Sequence, residues 1–109
     1  MAIQNAGACR NDIAAGEFTK NNATLLLPFT NTLLTLHMPG AQIVLLLEQA
    51  MDHVWGNNRT GGYPYCAGLR YDVNATADFM SRVANVEVNK RLRVEREDSW
   101  RPIDMDQMY

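Results

Sequence analysis

Two short stretches near the amino terminus combine the residue types that hold a flat, anionic ligand. The first, Asn5–Arg10, contains Gly7, and the second, at residues 27–32, contains Phe29 and Asn31. Gly7 lets a ligand approach the backbone closely, and the planar guanidinium of Arg10 suits a phosphate or a carboxylate. Phe29 offers a stacking surface, and the amide side chains can both donate and accept hydrogen bonds. The spacing therefore predicts a site for a ligand with a ring and an anionic group.

Local sequence signals place both stretches at the ends of regular elements. Ala2–Asn5 reads as a short strand that ends at the glycine-containing loop, where backbone groups become free. Thr19 is a suitable N-cap for a helix, and Pro28 ends that helix because it lacks an amide donor and disfavours helix at the preceding residue. Phe29 and Asn31 are thus expected directly after a helix.

The middle of the chain predicts a strand, a turn and a long helix. Residues 32–38 are rich in leucine and threonine and read as a strand, and a Pro-Gly turn follows at residues 39–40. Residues 41–54 have the three-to-four spacing of apolar side chains that one buried helix face requires. On this pattern Glu48 and Asp52 lie mainly on the opposite, solvated face.

The second half predicts mostly strands. Residues 55–65 are crowded with glycine and asparagine and read as a loop, whereas Leu69–Val73 alternates as a strand does. A further extended segment runs from Val83 to about residue 94, a charged turn follows at residues 95–99, and residues 100–103 pair back. The order of elements predicts an α+β fold, a mixed sheet with two main helices, in a single compact domain over residues 1–109.

Composition excludes several classes of protein. The chain has 109 residues and a formal net charge of −2, with acids and bases interleaved, so a polymeric nucleic acid is not expected as a partner. The longest apolar run, Ile43–Leu47, is far shorter than the roughly 20 residues of a membrane span. The amino terminus lacks the features of a secretory signal. We expect no membrane partner.

No catalytic or metal site is predicted within the chain. His37 and His53 lack the spaced partners of a metal site, and no serine, histidine and acid arrangement indicates a nucleophile. Cys9 and Cys66 are too few for a disulfide framework or a metal site of their own, and the simplest interpretation is two unpaired thiols. The predicted site is one of binding.

The two stretches and several later motifs resemble the carboxy-terminal, substrate-binding domain of the 5'-nucleotidase / UDP-sugar hydrolase family. The likeness covers essentially the whole chain, and its motifs come in the family's order at similar spacings. They are NAGACR at residues 5–10, LLPFTNT at 26–32, HMPGAQI at 37–43, AGLRYD at 67–72, Arg82-Val83, and the closing WRPID at 100–104 with Tyr109.

The resemblance implies roles for the site residues and for the parent protein. Arg10 would contact the nucleotide, Phe29 would stack on the base, and Asn5, Gly7 and Asn31 would complete the substrate contacts. In the family, hydrolysis belongs to an amino-terminal metallophosphatase domain that holds two divalent metal ions, whose motifs are not in this sequence. The chain is therefore expected to need no cofactor, to recognise a nucleotide or nucleoside in nucleotide catabolism, and not to be catalytic on its own. The family is mostly periplasmic or at the cell surface, and the location of the chain itself stays open.

The chain also departs from the family pattern. Ala8 replaces a glycine and Cys9 an aliphatic residue, and the family continues past the position of Tyr109 with a second aromatic residue and an aspartate. We therefore expect a partial domain with one wall of the nucleotide site. Exposed sheet edges would favour a homodimer or a domain swap. The alternative is a non-enzymatic domain that persists as an oligomer or interaction module without useful nucleotide binding.

Overall fold

The computed structural model describes residues 1–90 and 98–109. Within these ranges two helices and five strands form the scaffold, and short 3₁₀ turns follow the first strand and precede the second. In chain order the elements are β1 (Ala2–Asn5), the Ala6–Ala8 turn, α1 (Lys20–Leu26), α2 (Gly40–Gly56), the Thr60–Gly62 turn, β2 (Pro64–Ala67), β3 (Leu69–Val73), β4 (Val83–Asn89) and β5 (Trp100–Pro102).

The strands pair antiparallel in two small sheets. In the first sheet β1 pairs with β2, so that Asn5 lies opposite Pro64. In the second sheet β4 lies between β3 and β5. Gly68, with a φ of 69°, separates β2 from β3 and turns the chain from one sheet to the other. The α+β class and the two main helices are as predicted, and the described strands form two antiparallel sheets where the sequence predicted one mixed sheet.

The core lies between α2 and the three-stranded sheet. Leu47 of α2 is fully buried, and Val88 of β4 is 2% exposed. The apolar face that the sequence predicts for α2 comprises Ile43, Leu46, Leu47, Ala50, Met51 and Val54. Four of these residues, Ile43, Leu47, Met51 and Val54, are buried, Ala50 is half-buried, and Leu46 is 38% exposed. The buried residues of the cluster are Ile43, Leu47, Leu69, Val86, Val88 and Ile103. Burial of these side chains is the main force that holds α2 on the sheet.

The end of the chain packs against the start of α2. The amides of Gly40 and Ala41 donate hydrogen bonds to the carbonyl oxygens of Gln107 and Met105 at 3.0 Å each. A Cβ atom at Gly40 would lie 2.1 Å from the backbone oxygen of Asp104. Only glycine therefore allows this close approach of two backbones.

Residues 32–38 are not a strand, contrary to the sequence prediction. Leu33 is 98% exposed and Leu34 is 74% exposed, and only the end of the segment pairs, through two hydrogen bonds between the backbones of Met38 and Tyr109. Strand propensity mostly reflects packing against neighbours. Within the described residues these leucines have no neighbouring strand to pack against.

Three further differences concern the second half. Helix α2 runs two residues beyond the predicted end, to Gly56, and the predicted loop contains the Thr60–Gly62 turn and the start of β2. Strand β4 confirms the extended segment from Val83, whereas its predicted continuation and most of the charged turn lie outside the described residues. Strand β5 pairs with β4, as predicted.

Candidate functional site

The glycine-containing loop follows β1 as the sequence predicted, and it is packed against a second glycine turn. The side-chain nitrogen of Asn5 donates a hydrogen bond to the carbonyl oxygen of Gly61 at 3.3 Å. A Cβ atom at Gly7 would lie 3.2 Å from the same oxygen. A side chain at position 7 would thus crowd the contact between the two turns, in addition to hindering the ligand approach that the sequence indicated.

Arg10 connects this loop to the end of α1. Its backbone amide donates a hydrogen bond to the carbonyl oxygen of Leu26 at 2.9 Å. Its side chain is exposed, and it forms no salt bridge within the part of the chain that the structure describes. The guanidinium is therefore available to an external anion.

Helix α1 is fixed at both ends by the residues that the sequence singled out. The side chain of Thr19 accepts a hydrogen bond from the amide of Asn22 at 3.2 Å, and the side chain of Asn22 accepts one from the amide of Thr19 at 2.9 Å. This reciprocal capping box satisfies amides that would otherwise lack partners. Pro28 follows the helix, and α1 ends at Leu26.

Phe29 and Asn31 lie just after α1, as predicted. The Phe29 side chain is 53% exposed, so much of its ring is accessible for stacking. Asn31 is exposed and makes no side-chain hydrogen bond within residues 1–90 and 98–109. The structure thus brings Asn5 and Gly7 together at one turn. It also joins the backbone of Arg10 to α1, the helix before Phe29. Among the described residues, the Asn31 side chain makes no hydrogen bond to the other four.

The turn opposite Asn5 and Gly7 was missed by sequence reasoning. Gly62 packs against the ring of His53, because a Cβ at Gly62 would lie 3.0 Å from its Cδ2. Aromatic rings flank the turn: Trp55 and Tyr63 meet edge to face with centroids 6.3 Å apart. The available signal was the adjacent pair of glycines, which the sequence interpretation assigned only to a loop.

A buried acidic pair was also missed. Glu48 and Asp52 are each 7% exposed, and the prediction that they are solvated is wrong. Asp52 pairs with Arg82 at 3.0 Å and accepts a hydrogen bond from the amide of Met80 at 2.9 Å. Glu48 accepts the amides of Arg82 and Val83, each at 2.9 Å. A buried carboxylate is tolerated when an ion pair or hydrogen bonds satisfy it in this way. Here the two carboxylates together anchor the loop between β3 and β4 to α2.

The two cysteines differ in environment. Cys9 is exposed, whereas Cys66 is partly buried on β2. Burial raises the pKa of the Cys66 thiol, and burial also raises the pKa of the neighbouring Tyr71 hydroxyl. The Tyr71 hydroxyl donates a hydrogen bond to the carbonyl oxygen of Pro64 at 3.0 Å. Because burial raises its pKa, the Cys66 thiol stays protonated at neutral pH.

The described residues contain neither a cluster that could hold a metal ion nor a helix that could span a membrane. Among the described residues, no group of three or more His, Cys, Asp or Glu side chains is arranged to hold a metal ion. No helix in the described ranges is long and apolar enough to cross a membrane.

An apolar groove of about 1050 Å³ opens between β1, the 34–38 segment and the ends of β4 and β5. Lys90 and Arg101 are its charged lining residues, and no acidic side chain is among its described lining. Its main apolar lining is Ile3, Leu34, Leu36, Leu46, Val88 and Tyr109. The groove does not include Arg10 or Phe29 and is separate from the predicted ligand site.

The described elements form a small α+β domain, and comparison with known proteins gives its family. The family model described as 5'-nucleotidase, C-terminal domain, matches residues 1–109, and the chain belongs to this family. The resemblance inferred from the sequence motifs is thereby confirmed.

Individual relatives agree with this assignment. A probable 5'-nucleotidase of Treponema pallidum (strain Nichols) is 40% identical over 103 residues, which are 94% of this chain and 16% of that protein. The NAD 5'-nucleotidase of Haemophilus influenzae is 41% identical over 111 residues, which cover 100% of this chain and 18% of that protein. The chain therefore spans less than a fifth of the length of these curated relatives.

Solved structures confirm the fold. The structure of Haemophilus influenzae NAD nucleotidase superposes with a TM-score of 0.83 at 41% identity, over 98% of this chain and 18% of that one. The 5'-nucleotidase precursor from Thermus thermophilus gives a TM-score of 0.82 at 31% identity, over 98% of this chain and 20% of that one.

Proposed function

We propose that this chain is the nucleotide-recognition part of a 5'-nucleotidase-type phosphohydrolase that acts in nucleotide catabolism. Phe29 stacks on the base, Arg10 binds an anionic oxygen, and Asn5, Gly7 and Asn31 contact the remainder of the ligand. The chain selects and positions the substrate and does not itself cleave the phosphate ester. Cleavage relies on two divalent metal ions that a separate amino-terminal domain of the parent enzyme holds, in the periplasm or at the cell surface.

The observation that carries this proposal is the hydrogen bond from the Arg10 amide to the Leu26 carbonyl oxygen. It joins Arg10 to the last residue of α1, directly before the second stretch of predicted ligand residues, while the side chains of Arg10 and Phe29 remain exposed. An exposed arginine and an accessible aromatic ring are the side-chain types that suit a ligand with a phosphate and a base. Stacking of one base on an aromatic side chain contributes about 1–3 kcal/mol by alanine substitution.

Calorimetric titration with AMP, adenosine and UDP-glucose tests the proposal. We expect AMP to bind and Phe29→Ala to weaken binding roughly 5- to 150-fold, the equivalent of the lost stacking. Arg10→Ala should weaken AMP more than adenosine, because only AMP has the phosphate. Phe79→Ala is the matched control, because Phe79 is 76% exposed and lies on a loop outside the site. Binding that neither Phe29→Ala nor Arg10→Ala changes would contradict the residue assignment.

The apolar groove favours a second candidate function, that of a self-associating interaction module. The proposed occupant is Phe79 of a second copy of the chain. Phe79 and Asp78 lie on the loop between β3 and β4, at the opposite end of these strands from Gly68 and the groove, so Phe79 does not fill the groove of its own copy. The acidic Asp78 complements the cations Lys90 and Arg101 that line the groove.

Sedimentation velocity over a wide range of concentrations tests this second function. Self-association should be lost in Phe79→Ser and in Leu36→Ser, which change the two sides of the contact. Addition of salt should weaken it, because the charge pairs are exposed. A monomer at every concentration excludes the module, and self-association that survives both substitutions excludes this contact. Replacement of Phe79 thus separates the two candidate functions, since only self-association depends on its side chain.

A further inference from the structure

We infer that the Thr60–Gly62 turn, backed by His53, is a positioning element that sets the conformation of the Asn5–Gly7 ligand loop. The ligand part of this inference rests on the proposed function. The structural part concerns only contacts between the two turns, and it can be tested separately.

The Asn5–Gly7 loop meets the turn and the residue after it at three successive positions. Asn5 donates its side-chain amide to Gly61, and the backbone amide of Ala6 donates to the carbonyl oxygen of Tyr63 at 2.8 Å. At Gly7 an added Cβ would meet both the oxygen of Gly61, at 3.2 Å, and its Cα, at 3.3 Å. These are backbone atoms, which cannot move aside as the end of a side chain can. The shape of the loop is thus tied to the position of the turn.

Hydrogen bonds and the His53 ring fix the Thr60–Gly62 turn to α2. The amide of Arg59 donates to the carbonyl oxygen of Val54 at 3.2 Å, and the amide of Gly62 donates to that of Arg59 at 3.1 Å. The ring of His53 lies behind Gly62, with its Cδ2 3.0 Å from the position of an added Cβ. Helix α2 contains Met51, which is fully buried, and so provides a rigid base for the turn.

This arrangement has a direct consequence for Asn5. One of its two side-chain N–H groups is committed to Gly61, so its Oδ1 and the second N–H remain in a fixed orientation for a ligand. Fixing a ligand contact before binding lowers the entropic cost of association. His53 and Gly62 therefore act on the ligand through Asn5 and Gly7, as positioning residues.

The test places a larger side chain between the turn and His53. Gly62→Leu adds an unbranched Cβ and a bulky end that must displace the His53 ring or move the turn. We expect shifts in the NMR signals of the Asn5 side-chain amide and the Gly7 backbone amide. AMP affinity should fall about tenfold, near the upper cost of ordering one side chain on binding. His53→Ala in the Gly62→Leu background should restore both, because it removes the ring. Gly56→Ala is the matched control, since nothing lies within 4 Å of its added Cβ.

Each result decides one part of the inference. Folded Gly62→Leu protein with unchanged Asn5 and Gly7 signals overturns it, and so does an effect that His53→Ala fails to reverse. If Gly62→Leu does not fold, Gly62→Ala, which crowds the ring by only a few tenths of an ångström, is measured in the same way and judged by the same criteria. If the loop signals shift and recover but the unmodified chain binds no AMP, the positioning relationship stands and the proposed function fails.

Discussion

The carboxylate of Asp52 on α2 and the guanidinium of Arg82, directly before β4, form a largely buried ion pair with an Oδ1 to Nε distance of 3.0 Å. The Arg82 side chain is 14% exposed and that of Asp52 is 8% exposed. The same carboxylate also holds the amide of Met80, whose φ of 58° is unusual for a residue other than glycine. The pair thus fixes a strained part of the loop between β3 and β4.

Removal of one member of this pair should be strongly destabilising. Asp52→Ala leaves the Arg82 charge buried without its partner, and we expect a loss of about 3–5 kcal/mol in the free energy of unfolding. Urea titration measures this as a lower midpoint with an unchanged slope. Gln49→Ala, an exposed change on the same helix, is the control. An Asp52→Ala midpoint equal to that of the control would show that the ion pair does not anchor the loop.

The capping box of α1 should affect the ligand loop from a distance. Thr19→Ala removes the side-chain acceptor for the Asn22 amide, and loss of an N-cap costs about 1 kcal/mol. The carbonyl oxygen of Leu26 at the end of α1 accepts a hydrogen bond from the Arg10 amide. Fraying of α1 should therefore expose that amide to solvent. Hydrogen exchange at Arg10 is therefore expected to be faster in Thr19→Ala and unchanged in Thr19→Ser. Equal exchange in all three proteins would disprove the link.

Gly40 is a position where the fold depends on the absence of a side chain. In Gly40→Ala the new Cβ would meet the backbone oxygen of Asp104 at 2.1 Å, so α2 and the final segment must separate. We expect a loss of about 1–3 kcal/mol or more, the usual cost of overpacking. Thermal unfolding compares it with Gly56→Ala, which adds the same methyl group in open space at the other end of α2. Similar melting temperatures for the two variants would contradict the close backbone contact.

The raised pKa values of Cys66 and Tyr71 predict a loss of stability at alkaline pH. Both groups are neutral in the folded chain at pH values where the unfolded chain already ionises them. Their stabilising contribution is complete below the ordinary thiol pKa of about 8.5 and declines as pH rises above it. Tyr71→Phe removes the contribution of the tyrosine. The free energy of unfolding of this variant should therefore fall less than that of the unmodified chain between about pH 8 and pH 11, the range in which both groups ionise in the unfolded chain.

The two thiols provide an independent check of these environments. Iodoacetamide should modify the exposed Cys9 well before Cys66, because burial limits both access and ionisation at Cys66. Peptide mass spectrometry of a time course measures the two rates. Equal rates in folded protein would contradict the placement of Cys66 on β2.

The sequence was sufficient for features that depend on local signals. Thr19 and Pro28 correctly marked the two ends of α1. The apolar spacing of residues 41–54 predicted α2, and the loop after β1 lies where the sequence placed it. Motif resemblance gave the family and the α+β class. These features share a property: each is encoded by residues that are close together in the chain.

Features that depend on distant contacts were not predictable in the same way. Glu48 and Asp52 look solvated on a helical pattern, and only the approach of Arg82, some thirty residues later, makes their burial possible. The leucines of residues 32–38 look like a strand, yet they need a neighbour to pack against. The pairing of Gly7 with Gly61 likewise depends on β1 lying beside β2.

The central claim is that residues 5–10 and 27–32 form a nucleotide-recognition surface. Backbone amide chemical-shift mapping during titration with AMP tests it most directly, because it needs no substitution and reports on all described segments at once. We expect saturable shifts at Asn5, Gly7, Arg10, Phe29 and Asn31, with the groove residues Leu36 and Val88 unaffected. Saturable shifts confined to the groove, or none at all in folded protein, would contradict it.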